Sequence, residues 1–494
     1  MKKLLSILIF GFLFSCSSKF EPVKVNLESQ WDTVRPLANP DKGWYHHLID
    51  NGTWRYEVRN DSIFDAFPGM DHIYLRLAWS YLDPEEKKFD WSLIDNAIDK
   101  YVPKGYGVSF RVTCKERRGV EEGGVNQKID GVIYATPKWV RDAGAKGVEV
   151  VSKGGALTWS PDWDDPVFLE KLDNFHRVFS ERYCNEPWVR YVDIGSIGDY
   201  GEGHTNPSTK IPPTVEEIKA NIDVYLKNYK NTQLVVADGW FFWNKPENEA
   251  QELYDYAVER GISVRDDSPM VEWWLNKNFD TWSISHPHFY DPLYKEKPIV
   301  FELQHYGNVK ADGNWLGKNG SEIIPEYNVS GAEIFRNALK IMHTTYIGYH
   351  GYVEEFLTDN PDLAEELLNL CGYWYFPKSV HIAEFDDDNL SFEIEWLNKG
   401  VAPAYNVYAL KGKLIPDDKS AKIIEFEIED SGNKNWMPGE TYMERYSVVL
   451  NEKPKGNYQL AIQVFDQKSN RIVDLGLAQA VKKDDFFLLQ KIQF

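Results

Sequence analysis

Two glutamates lie where an ionisable side chain is uncommon: Glu202 among glycines and Glu302 among apolar residues. Glu202 lies in a glycine-rich loop, residues 195–204, directly after the apolar run Val189–Ile194. Glu302 interrupts the apolar run of residues 299–303, where a carboxyl group is costly unless it has a partner or a chemical task. Two facing carboxyl groups can hydrolyse a glycosidic bond, one as the acid and the other as nucleophile or base. Glu202 and Glu302 are therefore a candidate catalytic pair.

Each glutamate also has a simpler interpretation. Glu302 could form a buried salt bridge with Arg76 or Arg111, and Glu202 could be a solvated loop carboxylate. Two other carboxyl groups are kept as the alternative acid and the alternative nucleophile, respectively: Asp199 and Glu355.

The elements that position the pair follow from the hydrophobic pattern. Short apolar runs alternate with amphipathic segments over residues 39–376, which predicts an α/β fold, a (β/α)8 TIM barrel. Because the carboxyl ends of the strands meet at one face of such a barrel, residues after the fourth and seventh strands should face each other. The predicted strands lie within residues 39–47, 72–80, 106–113, 189–195, 233–238, 262–267, 298–305 and 346–351, and the predicted helices within 89–101, 166–183, 215–229, 247–260 and 332–343.

The pattern changes after Pro377. Short segments alternate strictly between apolar and polar residues and are separated by glycine- and proline-containing turns. This pattern is typical of an all-β sandwich. We therefore expect a second domain, a β-sandwich, over residues 377–494.

The N-terminus has the features of a secretion signal. Two lysines precede an apolar run that ends at Phe14, and the following Ser15-Cys16 resembles the lipobox of bacterial lipoproteins. We expect a signal peptide over residues 1–15, lipidation of Cys16 and a polar tether over residues 16–38. The protein would be a membrane-anchored lipoprotein of the periplasm, outer membrane or cell surface, whose contact with the membrane is the anchor alone; ordinary cleavage that leaves a free Cys16 is the alternative.

Composition restricts the classes of partner. The formal net charge is −21 and aromatic residues make up 15% of the chain. The negative charge argues against nucleic-acid binding, whereas abundant aromatic and acidic side chains suit a carbohydrate substrate. Scattered cysteines and isolated histidines predict neither a metal site nor an organic cofactor. Five tryptophans after the fifth and sixth strands are candidate sugar-stacking walls, with core packing as the alternative: Trp240, Trp243, Trp273, Trp274 and Trp282.

Residues 72–91 resemble the second strand and following loop of glycoside hydrolase clan A, and are most similar to the family 42 β-galactosidases. The resemblance is carried by Arg76, Ala78-Trp79-Ser80, Leu82-Asp83-Pro84-Glu85 and Phe89-Asp90-Trp91, and by residues 135–139, Ala-Thr-Pro-Lys-Trp. It implies a retaining hydrolase with Glu202 as acid/base and Glu302 as nucleophile.

One position departs from that family. The clan usually has Asn immediately before the acid/base, where it contacts the sugar 2-hydroxyl, and this chain has Gly201. With its Gly-Glu-Gly-His loop and appended sandwich, the chain is more similar to a branch of secreted bacterial lipoproteins with such barrels than to family 42 itself. The contact to the 2-hydroxyl must then come from another residue, or Glu202 is not the acid.

The sequence therefore predicts a retaining glycoside hydrolase that cleaves β-linked oligo- or polysaccharides, galactose-containing ones among them. The alternatives are a carbohydrate-binding lipoprotein without turnover and an interaction lipoprotein whose barrel is only a scaffold. Arg76 is expected to hydrogen-bond the nucleophile and keep it ionised. His350 is a further candidate for contact with a sugar hydroxyl or a carboxylate. The residues expected to bind substrate are Arg76, Trp79, Asp199, His204, Asp267, His305 and Glu355.

Overall fold

The computed structural model describes residues 20–50, 56–118, 127–267, 289–386 and 388–494. The predicted signal peptide and Cys16 lie outside the described residues, as do Trp273, Trp274 and Trp282. Within the described ranges, no helix has both the length and the hydropathy needed to cross a membrane.

Eight parallel strands form a closed barrel, in which each strand pairs with the next along the chain and the last pairs with the first. The TIM-barrel prediction is therefore confirmed. Almost every strand residue is buried, as expected when helices cover the outer surface and side chains fill the inside. We number the barrel strands in chain order: β1 Gly43–Ile49, β2 Met70–Ala78, β3 Gly107–Thr113, β4 Val189–Ile194, β5 Leu234–Ala237, β6 Ser263–Asp267, β7 Ile299–Glu302 and β8 Thr344–Tyr349.

Helices connect the barrel strands, and the five predicted ones are all present. The long helix Pro166–Tyr183 begins with proline at its first position, and the Asp165 side chain accepts hydrogen bonds from two backbone N–H groups of its first turn. The α-helices of the described ranges are Asp61–Asp65, Trp79–Leu82, Ser92–Tyr101, Lys138–Asp142, Pro166–Tyr183, Val215–Asn228, Gly239–Phe242, Glu247–Val258, Tyr290–Leu293, Tyr306–Ala311, Gly331–Met342, Val353–Asp359 and Pro361–Leu370.

The barrel interior changes from aromatic to charged along the strands. A buried cluster of Tyr45, Tyr74, Tyr191, Val235, Val300 and Tyr346 fills its middle. Because alternate residues of a strand face the same side, the next inward positions are charged, for example Arg76 on β2, Asp193 on β4 and Glu302 on β7. The strands thus place a layer of ionisable groups at their carboxyl ends.

Two smaller sheets are formed by segments between the barrel strands. After β3 the chain forms a four-stranded sheet from Gln127–Ile129, Val132–Tyr134, Leu157–Pro161 and Gly147–Val151. A short hairpin pairs Ile323–Ile324 with Val329–Ser330.

Two antiparallel sheets form the C-terminal region and share one hydrophobic core, in which Trp396 stacks on Trp436 with ring centroids 4.4 Å apart. The first strand of this region, Tyr375–Asp386, crosses the predicted boundary at residue 377. One sheet contains Val23–Asn26, Tyr375–Asp386, Asn389–Asn398 and Thr441–Val449; the other contains Ile424–Ile428, Tyr408–Pro416, Asn457–Asp466, Phe486–Gln493, Lys482–Lys483 and Arg471–Val473.

The prediction of a tether over residues 16–38 is wrong for part of that range. Val23–Asn26 is an edge strand that pairs antiparallel with Tyr375–Asp386, and the Leu27 side chain is buried in the sandwich core. Alternating residues in this segment supply one apolar face for the sheet, a signal that four residues are too few to reveal.

Candidate active site

Glu202 and Glu302 meet at the carboxyl ends of the barrel strands, as predicted. Glu302 is the last residue of β7, and Glu202 lies in the loop after β4. One carboxyl oxygen from each, together with one from Asp267 at the end of β6, lie within 4.8 Å of one another. A single guanidinium bridges the pair, because Arg111 Nη1 lies 3.4 Å from Glu202 Oε1 and Arg111 Nη2 lies 3.4 Å from Glu302 Oε2.

The Glu202 loop is shaped by close backbone contacts at Gly201. This residue has φ +77°, and a Cβ atom added there would lie 2.6 Å from the carbonyl oxygen of Gly195. Trp240 packs behind the loop and donates a hydrogen bond of 3.0 Å to the Gly201 carbonyl. An asparagine at this position would therefore clash with the backbone of Gly195, directly after β4, so this loop conformation requires glycine here.

Glu302 is held by arginines from two other strands. Arg265 on β6 forms an ion pair with Glu302, and Arg111 on β3 forms another. Both arginines also face Asp193, at 2.8 Å from Arg265 Nε and 3.7 Å from Arg111 Nε. Tyr74 donates a hydrogen bond of 2.6 Å to Asp193. The Glu302 side chain is only 2% exposed, so the two guanidinium groups replace water as partners of its carboxyl oxygens.

The expected role of Arg76 is wrong, because Arg76 does not pair with Glu302. Its ion pairs within the described residues are with Asp50 at 2.9 Å, Glu116 at 3.7 Å and Glu202 at 3.3 Å. The strand order explains the difference: β2 lies between β1 and β3, whereas β7 lies between β6 and β8. The alternative interpretation of Glu302, a salt bridge with Arg111, describes a contact that does exist.

His204 is a further partner of Glu202, beside Arg76 and Arg111. Its Nε2 lies 3.2 Å from Glu202 Oε2, opposite the oxygen that faces the arginines. Burial alone would lower the pKa of His204, but the hydrogen bond to Glu202 and the charges of Glu202 and Asp267 raise it above its ordinary value. The Trp243 ring lies beside the imidazole, with centroids 6.1 Å apart. Glu202 and His204 thus share a site that favours a retained proton.

A histidine group lies on the other side of Glu302. His350 Nδ1 is 2.9 Å from the Leu303 carbonyl, which leaves Nε2 3.7 Å from both Asp50 Oδ1 and Glu302 Oε1. His305 lies next to it, with ring centroids 4.6 Å apart. The predicted residue His305 is thus brought to the site, and His350 presents Nε2 beside two carboxyl groups, a set of polar atoms to which a sugar hydroxyl could hydrogen-bond.

Four carboxyl groups of the site were missed from the sequence: Asp50, Asp193, Glu116 and Asp238. Burial raises the pKa of Glu116 to about 7, although the charge of Arg76 opposes the shift. Burial and the charge of Asp267 raise the pKa of Asp238 to about 7. Both residues follow a barrel strand, β3 and β5, so the rule that located Glu202 could have found them too.

Three predicted substrate-binding residues have other partners: Trp79, Glu355 and Asp199. Trp79 is fully buried and packs edge-on against Trp139, because its helix faces the core behind β2; the prediction that it binds substrate is wrong. Glu355 is partly exposed on the helix Val353–Asp359 and pairs with Lys310 at 2.5 Å, which argues against its role as alternative nucleophile. Asp199 is buried and accepts a hydrogen bond of 2.6 Å from Ser208, and burial raises its pKa.

Among the described residues, three sets of potential ligand atoms are close enough together to be considered for a metal ion. One of them, Glu202 with Asp267 and Glu302, already faces the guanidinium groups of Arg111 and Arg265, so a dication would meet like charge there. The other two sets share His350: His47 with Glu302 and His350, and Asp50 with His305 and His350.

Comparisons with known proteins give weak similarities. No protein-family model matches the chain. Beta-galactosidase BbgII of Bifidobacterium bifidum is 23% identical over 219 residues, which is 42% of this chain and 28% of that protein. The chain thus spans less than a third of the length of this relative.

Several solved structures with similar folds carry the names of carbohydrate-active enzymes. The catalytic domain of β-amylase from Paenibacillus polymyxa is 9% identical, covers 65% of this chain and 95% of its own, and has a TM-score of 0.43. Endo-glycoceramidase II from Rhodococcus sp. is 12% identical, with 83% and 97% covered and a TM-score of 0.39. β-Galactosidase from the psychrophilic Marinomonas ef1 is also 12% identical, with 66% and 58% covered and a TM-score of 0.36. Similarities at this level add no assignment of chemistry, which has to come from the site.

Proposed function

We propose that the protein is a retaining glycoside hydrolase that acts on β-linked glycans. The observation that carries the proposal is the spacing of Glu202 and Glu302, whose nearest carboxyl oxygens lie within 4.8 Å at the carboxyl ends of β4 and β7. Retaining enzymes hold their two carboxyl groups about 5–5.5 Å apart, whereas inverting enzymes leave room for a water at about 6.5–9.5 Å. The name of the similar β-galactosidase agrees with a β-linked substrate.

In the proposed mechanism Glu302 attacks the anomeric carbon while the glycosidic C–O bond breaks. Ion pairs with Arg111 and Arg265 hold the Glu302 carboxyl group in place for the attack. Glu202 protonates the departing oxygen, then takes a proton from the water that attacks the anomeric carbon and releases Glu302. His204, hydrogen-bonded to the Glu202 oxygen that does not face the arginines, would help this pair to hold the proton.

The residues around the pair would supply the sugar contacts. Asp267 lies within the same 4.8 Å group as the two glutamates, and His350 presents its Nε2 between Asp50 and Glu302. Each can bind a hydroxyl group. In the resembled family an asparagine contacts the sugar 2-hydroxyl. We assign that contact here to Asp267 or His350, rather than to the backbone around Gly201.

Substitution of the two glutamates tests the proposal, with a substrate pair that separates their roles. Glu202→Gln should still release the leaving group of an activated aryl β-glycoside in a rapid first turnover, because that group needs no proton, whereas steady-state turnover should slow because the water has lost its base; an alkyl β-glycoside should lose about 10²–10⁴-fold already in the first step. Glu302→Gln should lose activity on both, because the nucleophile acts in both. Glu355→Gln, an exposed glutamate outside the site, is the matched control and should behave as wild type. Nuclear magnetic resonance of the first-formed sugar should show the β-anomer; the α-anomer would contradict the retaining mechanism.

A second candidate, a carbohydrate-binding protein without turnover, is favoured by the ion pairing of the site. Arg111 contacts both glutamates, and paired carboxylates of this kind also occur as purely structural networks. This candidate predicts that wild type binds a glycan and releases no sugar, and that Glu202→Gln alters binding alone. Turnover by wild type that both substitutions abolish would exclude it.

We also propose that the mature protein is anchored through a lipid on Cys16 at the periplasmic or outer surface. The support is the sequence alone: a short apolar segment followed by Ser15-Cys16. Cys16→Ser should move the protein from the membrane fraction to the soluble fraction of the periplasm or medium. Wild-type protein that is soluble and unlabelled by palmitate would contradict the anchor.

A further inference from the structure

A cationic pocket lies beside the barrel mouth, in the loops that follow β3. Four basic side chains line it, together with three glycines and three apolar residues: Arg117, Arg118, Lys128, Lys153, Gly131, Gly154, Gly155, Ile133, Ala156 and Leu157. None of the described residues that line it is acidic, in a chain with 76 acidic and 55 basic residues. The described lining of the pocket is therefore positively charged, although the chain as a whole is negatively charged.

The pocket is tied to the loop that carries Glu202. Arg117 Nη1 donates a hydrogen bond of 3.1 Å to the Lys153 carbonyl, which joins the β3 loop to the hairpin turn at residues 152–156. The Lys153 backbone N–H in turn donates 2.7 Å to the carbonyl of Pro207, five residues after Glu202. The pocket and the candidate catalytic loop are thus parts of one connected surface.

Tyr200 forms the boundary between the pocket and the two glutamates. Arg117 lies over its ring at 5.7 Å from the centroid, and Arg76, a partner of Glu202, lies at 5.7 Å from the same centroid. Tyr200 also has φ +62°, a conformation that a bulky residue rarely adopts. Since Glu202 is only two residues further along, at most about 7 Å of chain separates it from Tyr200. A glycan that extends from Glu202 past Tyr200 would therefore approach Arg117, which lines the pocket.

We propose that this pocket is a subsite for an acidic sugar, one that carries a carboxylate or a sulfate group. The inference rests on the proposed glycoside hydrolase function and names the substrate class: β-linked glycans with an anionic residue next to the cleaved bond. Arginine and lysine side chains bind such groups by charge-assisted hydrogen bonds. The glycines at the pocket wall leave their backbone open, since a Cβ at Gly131 or Gly155 would meet no atom within 4 Å. A bulky sulfate or uronate therefore has space beside the cations.

Binding measurements on the full chain with three defined probes test the subsite. The probes are κ-carrageenan oligosaccharides, the same oligosaccharides after desulfation, and oligogalacturonate. At least one anionic probe should bind more tightly than the neutral one, and its affinity should fall as salt is raised from low to high ionic strength. The carrageenan and galacturonate arms show whether the pocket prefers sulfate or carboxylate.

A double substitution locates the effect. The double variant Arg117→Gln with Lys153→Gln should bind the anionic probe about fivefold more weakly for each cation removed, and its affinity for the neutral probe should be unchanged. Arg445→Gln with Lys455→Gln removes one arginine and one lysine from the distant sandwich and is the matched control. Thermal unfolding checks that the first variant is folded, and Lys153→Gln alone keeps the Arg117 hydrogen bond to the Lys153 backbone.

The outcomes separate this inference from the proposed function. If anionic probes bind no more tightly than the neutral one, or lose nothing in the double variant, the acidic-sugar subsite is wrong, even if the protein hydrolyses neutral β-glycosides. If anionic probes bind through these cations and no glycan is cleaved, the subsite stands and the hydrolase function fails.

Discussion

Restoring the asparagine that the resembled family has before its acid/base should damage this protein rather than improve it. Gly201 has φ +77°, and its Cβ would lie 2.6 Å from Gly195 O and 2.8 Å from Gly195 Cα. Asparagine tolerates a positive φ better than other residues, so backbone strain is the smaller cost. The overlap with fixed backbone is the larger one, since forcing atoms into a packed site costs about 1–3 kcal/mol. Gly201→Asn should therefore lower the free energy of unfolding by about 2–4 kcal/mol.

The matched control is Gly439→Asn in the sandwich. Gly439 has φ +75°, almost the value of Gly201, but a Cβ there meets no atom within 4 Å. Its substitution therefore tests the backbone conformation without the overlap, and we expect a loss of about 1 kcal/mol or less. The difference between the two variants isolates the contact with Gly195.

The assay is urea unfolding followed by tryptophan fluorescence, together with hydrolysis of an aryl β-glycoside. Because a relieved clash would move the loop, Glu202 would shift relative to Glu302, and a displacement of about 1 Å can cost about 10²-fold in rate. Equal stability of the Gly201→Asn and Gly439→Asn variants would refute the steric reasoning. If the Gly201→Asn variant is more active than wild type, then the loop can accommodate asparagine and the site works better with it.

Three further predictions test other parts of the site. Trp79→Ala should lower the free energy of unfolding by about 3–5 kcal/mol and leave the KM of the folded enzyme unchanged, because Trp79 is a core residue; a raised KM with full stability would contradict this. Burial raises the pKa of Glu116 from 4.5 to about 7. Between those pH values the folded protein keeps a proton that the unfolded chain has released. Through this group the free energy of unfolding should therefore fall as pH rises, by about 3 kcal/mol in all. Urea titrations at several pH values should show a flatter dependence for Glu116→Gln; an unchanged slope would count against the shift. His204→Asn leaves Glu202 with Arg76 and Arg111 as its charged partners, so the alkaline limb of the pH–rate profile should move to lower pH, and a limb that stays in place would remove His204 from the proton transfer.

The barrel could be predicted from the sequence because its signal is local. Each strand is a short apolar run, and each of the eight runs lies where the sequence places a strand. The position of Glu202 and Glu302 at one face then follows from the topology alone. The edge strand Val23–Asn26 could not be found in this way, because its partner Tyr375–Asp386 lies some 350 residues away in the chain and the pairing is tertiary.

Side-chain partners were harder to predict than strand positions. The sequence gives the strand on which Arg76 lies but not which neighbours its guanidinium reaches, and that depends on strand order and register. Trp79 shows the same limit: a tryptophan after a barrel strand suits both a sugar wall and the core, and the turn of the following helix decides between them. Glu116 was missed because a Glu two residues beyond a cysteine in a loop resembles an exposed polar residue until the fold buries it.

The charges of the site argue that at least one proton is held there at neutral pH. Nine ionisable groups form one connected network of ion pairs, three arginines and six carboxyl groups: Arg76, Arg111 and Arg265 with Asp50, Glu116, Asp193, Glu202, Asp267 and Glu302. If every carboxyl group were ionised, the network would carry three uncompensated negative charges in a largely buried space, which is costly. Burial raises the pKa of Glu116, and the hydrogen bond to Glu202 with the charges of Glu202 and Asp267 raises the pKa of His204, so two groups with raised pKa values lie in or beside this network. His204 contacts Glu202, whereas Arg265 contacts Glu302, so the group that gains a proton lies on the side of the site where a retaining hydrolase needs its acid.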